Sequence, residues 1–217
     1  LTPGSLLWNG YPAEGLSTPQ SQVEVPAGIW ARGAHHVRFE DNEIAHTGAW
    51  GICLRLGCHD NAVVGNYIHD MGAGGIRIGG TDVTFDDAEE TCRTTITDNI
   101  LRDGCAVYLG APAVWIGMSS GNRIAHNDIS GRWQWAVSVG FQWAYMPPQN
   151  ARDNVVEYNH CHHVINSPLR THAVIYSLGV QPGSVIRHNL VHHCTGAHGI
   201  CLDNGSAGVL VEHNIVH

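Results

Sequence analysis

The sequence predicts an all-β chain, a right-handed parallel β-helix (a solenoid) of about seven stacked coils with an Asn ladder. Three observations predict it: a repeated unit centred on Asn, a second apolar run between repeats, and glycine near the ends of those runs. The unit is an apolar residue, two variable residues, Asn, any residue, then usually an apolar residue. It occurs around Asn42, Asn66, Asn99, Asn127, Asn159, Asn189 and Asn214, with steps of 24, 33, 28, 32, 30 and 25 residues. The second runs lie at 51–54, 75–79, 136–140, 174–179 and 199–202. Each coil therefore has at least two strands with apolar residues turned inward, and loops of varying length outside absorb the uneven steps. Coils stacked about 4.8 Å apart make a rod roughly 34 Å long.

The ladder Asn residues have a structural explanation: a carboxamide at a tight corner can bond backbone groups and its counterparts in adjacent coils. Residues 1–28 are expected to form an extended segment packing on the helix. Residues 29–217 form the helix itself, which is expected to continue beyond 217.

At 43% hydrophobic and 14% charged, the 217 residues suit a single domain with a sizeable core. The net charge of −8 argues against nucleic acid or an anionic membrane as partner. No apolar run approaches the length of a membrane span, so no insertion is expected. All 11 basic residues are Arg, which removes lysine as a general base or Schiff-base former. Seven cysteines occur without a CxxC pair. Cys161 falls on an apolar repeat position, and Cys58 and Cys92 are spaced to allow a disulfide.

Sixteen histidines raise the question of a metal. His69, His162, His192 and His217 all follow the ladder Asn by three residues, so three of them would stack on successive coils. That spacing could hold an ion, but stacked turn residues explain it equally well. No metal and no cofactor are expected.

A long, Pro-punctuated stretch holds Trp133, Trp135, Phe141, Trp143 and Tyr145. It reads as an outer loop whose rings could stack on sugars. The runs 121–127 (Gly-Asn-Arg-Ile-Ala-His-Asn), 136–143, 151–159 and 181–187 resemble bacterial β-helix proteins in the neighbourhood of glycoside hydrolase families 141 and 120. Gly10-Tyr11, 46–48 and 113–117 agree with them, so the likeness covers nearly the whole chain.

The resemblance implies a secreted or periplasmic bacterial protein acting on a polysaccharide or oligosaccharide. It also implies two motifs for catalytic carboxylates, and both depart from the pattern here. Thr171 stands where an Asp is expected, and Asn204 where a Glu is expected, leaving Asp203 as the ionisable member. A glycosidase needs one ionised and one protonated carboxyl group; neither Thr nor an amide can serve. The expected catalytic residues are accordingly Asp203, with His172 for acid–base work. Thr171, Asn204, Arg170, Tyr176, Trp143, Trp133 and His198 are expected to contact the saccharide.

Two readings follow: a glycoside hydrolase with a rearranged acid pair, or a relative that binds polysaccharide without cleaving it. A structural spike would share the ladder but would not need the loop motifs. A polysaccharide lyase finds no lysine and no acidic cluster for Ca²⁺. The sequence does not indicate the oligomeric state.

Overall fold

The computed structural model describes residues 20–143, 149–164, 173–194 and 198–217. Among these, one 3-10 turn at Gln20–Gln22 is the sole helical element and the remaining elements are strands. They form two parallel sheets, one of twelve strands and one of seven. The larger sheet bends around a corner, so each coil has three sides.

Face 1 carries Ala27–Arg32, Trp50–Arg55, Ile76–Ile78, Val114–Ile116 and Val137–Val139. Face 2 carries Arg38–Glu40, Ala62–Val64, Thr95–Thr97, Arg123–Ala125 and Val155–Glu157. The long strands Ala173–Arg187 and His198–Glu212 run through both faces. Face 3 is the seven-stranded sheet, from Glu43–Ala45 to Ile215–Val216. This is the right-handed parallel β-helix predicted from the repeat. The Asn unit itself spans a corner: its first residues lie on face 2 and its last on face 3.

A five-residue rhythm makes the corners. Positive φ falls six residues before each ladder Asn, one before it, and in most coils four after it. In one coil these residues are Gly121, His126 and Gly131; in the next they are Asp153, Tyr158 and His163. Left-handed backbone is costly for side chains as large as His or Tyr. Stacking offsets that cost: the rings of His126 and Tyr158, Tyr158 and His188, and His188 and His213 lie 5.1, 4.8 and 5.1 Å apart, nearly parallel in each pair.

The Asn ladder holds adjacent coils in register. Asn127 Nδ2 donates to Asn159 Oδ1 at 2.9 Å and to the Ile96 carbonyl at 3.0 Å. The Asn127 backbone N–H donates to the same Asn159 oxygen at 3.1 Å. Side-chain bonds of 2.9–3.0 Å link the whole series from Asn42 to Asn214.

A second ladder stands at the other end of face 2, five residues before the first. Asn122 Nδ2 donates to Asn154 Oδ1 at 2.8 Å, and the Asn154 N–H donates to Ser184 Oγ at 3.1 Å. Asn154, which follows the corner residue Asp153, is thus part of this ladder. The fixed offset from the first ladder is the sequence signal for it.

Three columns of apolar residues fill the interior. Ile52, Ile76, Val114, Val137 and Ile175 come from face 1, and Val63, Ile96, Ile124, Val156 and Ile186 from face 2. Ile68, Leu101, Ile129, Cys161 and Val191 come from face 3, so Cys161 is the core residue its repeat position predicts. The Cys58–Cys92 disulfide that the spacing allows does not form: both thiols are free. His59, not Cys58, pairs with Cys92 across the coils, so the pleat sends the two sulfurs to different sides.

On face 2, the buried Glu157 carboxylate is clamped between Arg123 Nε and Arg187 Nε, each at 2.8 Å. Burial pushes the Glu157 carboxyl up, but the two guanidinium groups outweigh it and hold it below the usual range. A carboxyl depressed on folding stabilises the fold above its unfolded pKa, and that stabilisation fades as pH falls through the folded value.

Two predictions follow from these contacts. Asn127→Ala strands the two Asn99 donors and the Ile96 carbonyl and breaks the link to Asn159; it is expected to cost about 3 kcal/mol in urea unfolding, against about 1 kcal/mol for Asn42→Ala on the first coil. Glu157→Gln is expected to cost about 1–3 kcal/mol at neutral pH, with the gap from wild type closing in acid below the normal carboxylate range.

Candidate functional site

Alternation along face 1 puts the middle residue of each strand on the outer side. The outward column runs Trp30, Cys53, Arg77, Trp115, Ser138, Tyr176 and Cys201. It is not a solvated surface: Arg77, Trp115, Ser138 and Tyr176 are all buried. Part of the cover is the chain around Gln20–Val25. Gln20 Nε2 donates to the Tyr176 hydroxyl at 3.3 Å, and Arg77 Nη1 reaches the Val25 carbonyl at 3.5 Å.

At one end of this column the Tyr176 ring stacks on Trp135 at 4.8 Å, with Ala173, Leu178 and Cys201 packed around them. The Tyr176 hydroxyl donates to Asp203 Oδ2 at 2.6 Å, and the Asn204 backbone N–H donates to Asp203 Oδ1 at 2.8 Å. Both donors favour an ionised carboxylate. Burial, followed by this bond to Asp203, drives the Tyr176 hydroxyl well above the ordinary tyrosine range, so Tyr176 stays a neutral donor.

Farther along, Arg77 lies over the Trp115 ring at 5.5 Å. Trp115 meets Phe141 edge-on at 5.6 Å, and Phe141 meets Trp143 at 5.3 Å. Trp143 brings this aromatic series to the surface, at 49% exposure. Arg55 Nε, Arg77 Nε, Trp115 Nε1 and Trp135 Nε1 are buried donors on this side with no acceptor among the described residues.

Two of the long coil steps supply the loops beside face 1. Gln142 Nε2 donates to the Thr81 carbonyl at 2.6 Å. Asn150 and Thr84 exchange two bonds, at 2.7 and 3.0 Å. The insertions after Ile78 and Val139 thereby brace one another.

Of the residues expected at the site, Asp203, Tyr176 and Asn204 come together, and Trp143 is exposed nearby in the chain's aromatic series. His198 is exposed at the start of the strand that carries Asp203 and pairs with Ala173. Arg170, Thr171 and His172, with Tyr145, lie outside the described residues.

Trp133 is corrected: it is a core residue, not a saccharide contact. It is fully buried, its Nε1–H donates to the Ser130 carbonyl at 2.8 Å, and its ring lies where Gly104 leaves room for it. Trp135 is buried too, so the stretch from 133 to 143 is not all outer loop. The parts of the site missed in the sequence are Arg77 and Trp115. Their signal was the central position in a three-residue face 1 run.

Comparison with known proteins adds the following. Residues 27–217 match the model of a family described as a right handed beta helix region. This chain belongs to that family. Among solved structures, one named as a glycoside hydrolase superposes with a TM-score of 0.75 at 19% identity, covering 87% of this chain and 38% of its own. DFA-IIIase from Arthrobacter chlorophenolicus A6, in a structure without its lid, superposes with a TM-score of 0.53 at 17% identity, covering 90% of this chain and 55% of its own. This β-helix thus spans less than two thirds of either structure, and at these identities the likeness establishes the fold. The curated proteins compared gave no match.

Within this β-helix, Asp203 is the one carboxylate on the described face 1 strands. Glu157 sits on face 2 and is committed to its two arginines.

Burial separates the tryptophans experimentally. Trp133→Ala is expected to cost about 3–5 kcal/mol of unfolding free energy, and Trp143→Ala less than about 0.5 kcal/mol.

Proposed function

We propose that this β-helix is a carbohydrate-active protein of the glycoside hydrolase type, engaging a saccharide along the outer side of face 1. The observation that carries the reading is the Trp135–Tyr176–Asp203 constellation: a stacked aromatic pair delivering a hydroxyl to a face 1 carboxylate. Trp143 offers an exposed ring face for a sugar. The glycoside hydrolase and DFA-IIIase folds support the same class.

In hydrolysis Asp203 would act as the ionised member of the pair, nucleophile or base, because Tyr176 and the Asn204 N–H donate to it. Tyr176 is a positioning residue; being buried, it reaches a ligand through Asp203. A secreted or periplasmic setting, where saccharide polymers are met, goes with this reading.

Binding without cleavage is the second reading. What favours it is that no second acid accompanies Asp203 on the described face 1 strands, while glycosidases use two.

The test is a panel of aryl glycosides and polysaccharides, read for both turnover and affinity. Under the hydrolase reading, Asp203→Ala abolishes turnover, a loss of at least about 100-fold, and Trp143→Ala weakens binding. Binding that Trp143→Ala weakens, with no turnover in any variant, establishes the second reading. Neither binding nor turnover on any saccharide overturns both.

A further inference from the structure

Face 3 carries a separate group of chemistry-bearing side chains, outside the saccharide site on face 1. Its outer side displays the positions one and three residues after each ladder Asn. Over successive coils the first column contains Asp128 and then His160; the second contains His162 and then His192. Ligand atoms of Asp128, His160 and His162 all lie within 4.8 Å of one another, and all three residues are partly exposed.

The contacts are directional. His162 Nε2 lies 3.2 Å from Asp128 Oδ1, and His160 Nδ1 lies 3.1 Å from Asp128 Oδ2. The far nitrogen of each ring meets another imidazole: His162 Nδ1 is 2.9 Å from His163 Nδ1, and His160 Nε2 is 2.8 Å from His192 Nε2. A tetrahedral ion with bonds of about 2.0–2.1 Å holds its donors about 3.3 Å apart, close to the two His–Asp separations, in which each ring meets a different oxygen of the carboxylate.

We propose that Asp128, His160 and His162 form a site for a divalent transition metal of the zinc class, bound through one carboxylate oxygen, His160 Nδ1 and His162 Nε2. The donor set suits this class: neutral imidazole nitrogens with one carboxylate favour zinc, nickel or copper, whereas calcium and magnesium take oxygen ligands. Three protein ligands leave a fourth position for water.

The surroundings complete the arrangement. A metal-bound imidazole normally donates its other ring N–H to a neighbour that orients it. Here His162 Nδ1–H faces His163 and His160 Nε2–H faces His192, which in turn meets His193 Nδ1 at 2.5 Å. Those outer rings are stacked as well: His163 on His193 at 5.1 Å, and His192 on His217 at 5.2 Å. One ion would tie the coil of Asp128 to the next across the outside of face 3, reinforcing there what the ladder does at the corner.

One group opposes the cation. Arg102 pairs with Asp128 through Oδ1 and also reaches the Asp128 backbone carbonyl at 3.4 Å. An incoming metal must share or displace that guanidinium, which provides a diagnostic variant.

The experiment is calorimetric titration of the untagged chain with zinc chloride in a non-coordinating buffer, with melting followed in parallel. The expected result is one equivalent bound with a Kd of about 1 µM or tighter, and a raised Tm. Calcium and magnesium should give no heat. Asp128→Asn and His162→Gln should each weaken binding by at least about 10-fold, and His163→Ala by about 10-fold as loss of an orienting partner. Arg102→Gln should tighten binding, and its gain separates the proposed site from an unspecific histidine surface without relying on any loss of fold. No bound equivalent overturns the proposal. So does zinc binding that survives Asp128→Asn and ignores Arg102→Gln but is lost in His217→Ala.

Discussion

Each ladder carboxamide between the first and the last bonds its counterpart one coil on and a backbone carbonyl one coil back, and the rest of the molecule is arranged around that interaction. Stacked strands approach to under 5 Å only if the corner backbone between them is satisfied, since a buried unpaired donor costs about 1–3 kcal/mol. The Asn127 side chain bonds Ile96 O and Asn159 Oδ1 together, so one residue type at one position meets the need on both sides. With the corner fixed, strands on all three faces inherit a common register, and whatever a face displays outward is displayed in columns.

Columns explain how a chain with scattered polar residues acquires concentrated chemistry. The face 1 column holds Arg77, Trp115 and Tyr176, drawn from sequence positions nearly a hundred residues apart. The face 3 columns bring Asp128, His160, His162 and His192 together from three coils. A solenoid brings residues together through equal phase in the repeat, so its sites are read across coils and seldom along the chain. The corners follow the same rule. His126, Tyr158, His188 and His213 occupy backbone that favours Gly or Asn, and their stacked rings offset the strain.

The contrast between Trp133 and Trp143 shows where phase decides and composition does not. Both are tryptophans in one aromatic-rich stretch, yet one is sealed over Gly104 and the other is half exposed. Aromatic content marks a stretch as able to bury or to stack; which of the two occurs depends on what the coil beneath leaves open. The same holds for acids. Glu157 and Asp203 are both strand residues, but Glu157 lies between two arginines on face 2 and Asp203 receives the Tyr176 hydroxyl on face 1.

The sequence by itself determined the β-helix, its seven ladder positions and the apolar core columns, because each depends on a short periodic pattern that acts within a coil or between matching positions of adjacent coils; the candidacy of Asp203 came from the family resemblance. It did not reveal the second ladder, whose mixed Asn, Thr and Ser members hide the period, nor the three-sided cross-section that follows from the five-residue corner rhythm. Only the tertiary structure decided that Trp133 and Trp135 are buried, that Cys58 and Cys92 stay apart, and that Asp128 meets His160 and His162. Those outcomes depend on loop lengths of uneven coils and on which side of the pleat a residue faces after stacking, and a one-residue shift in register reverses each of them.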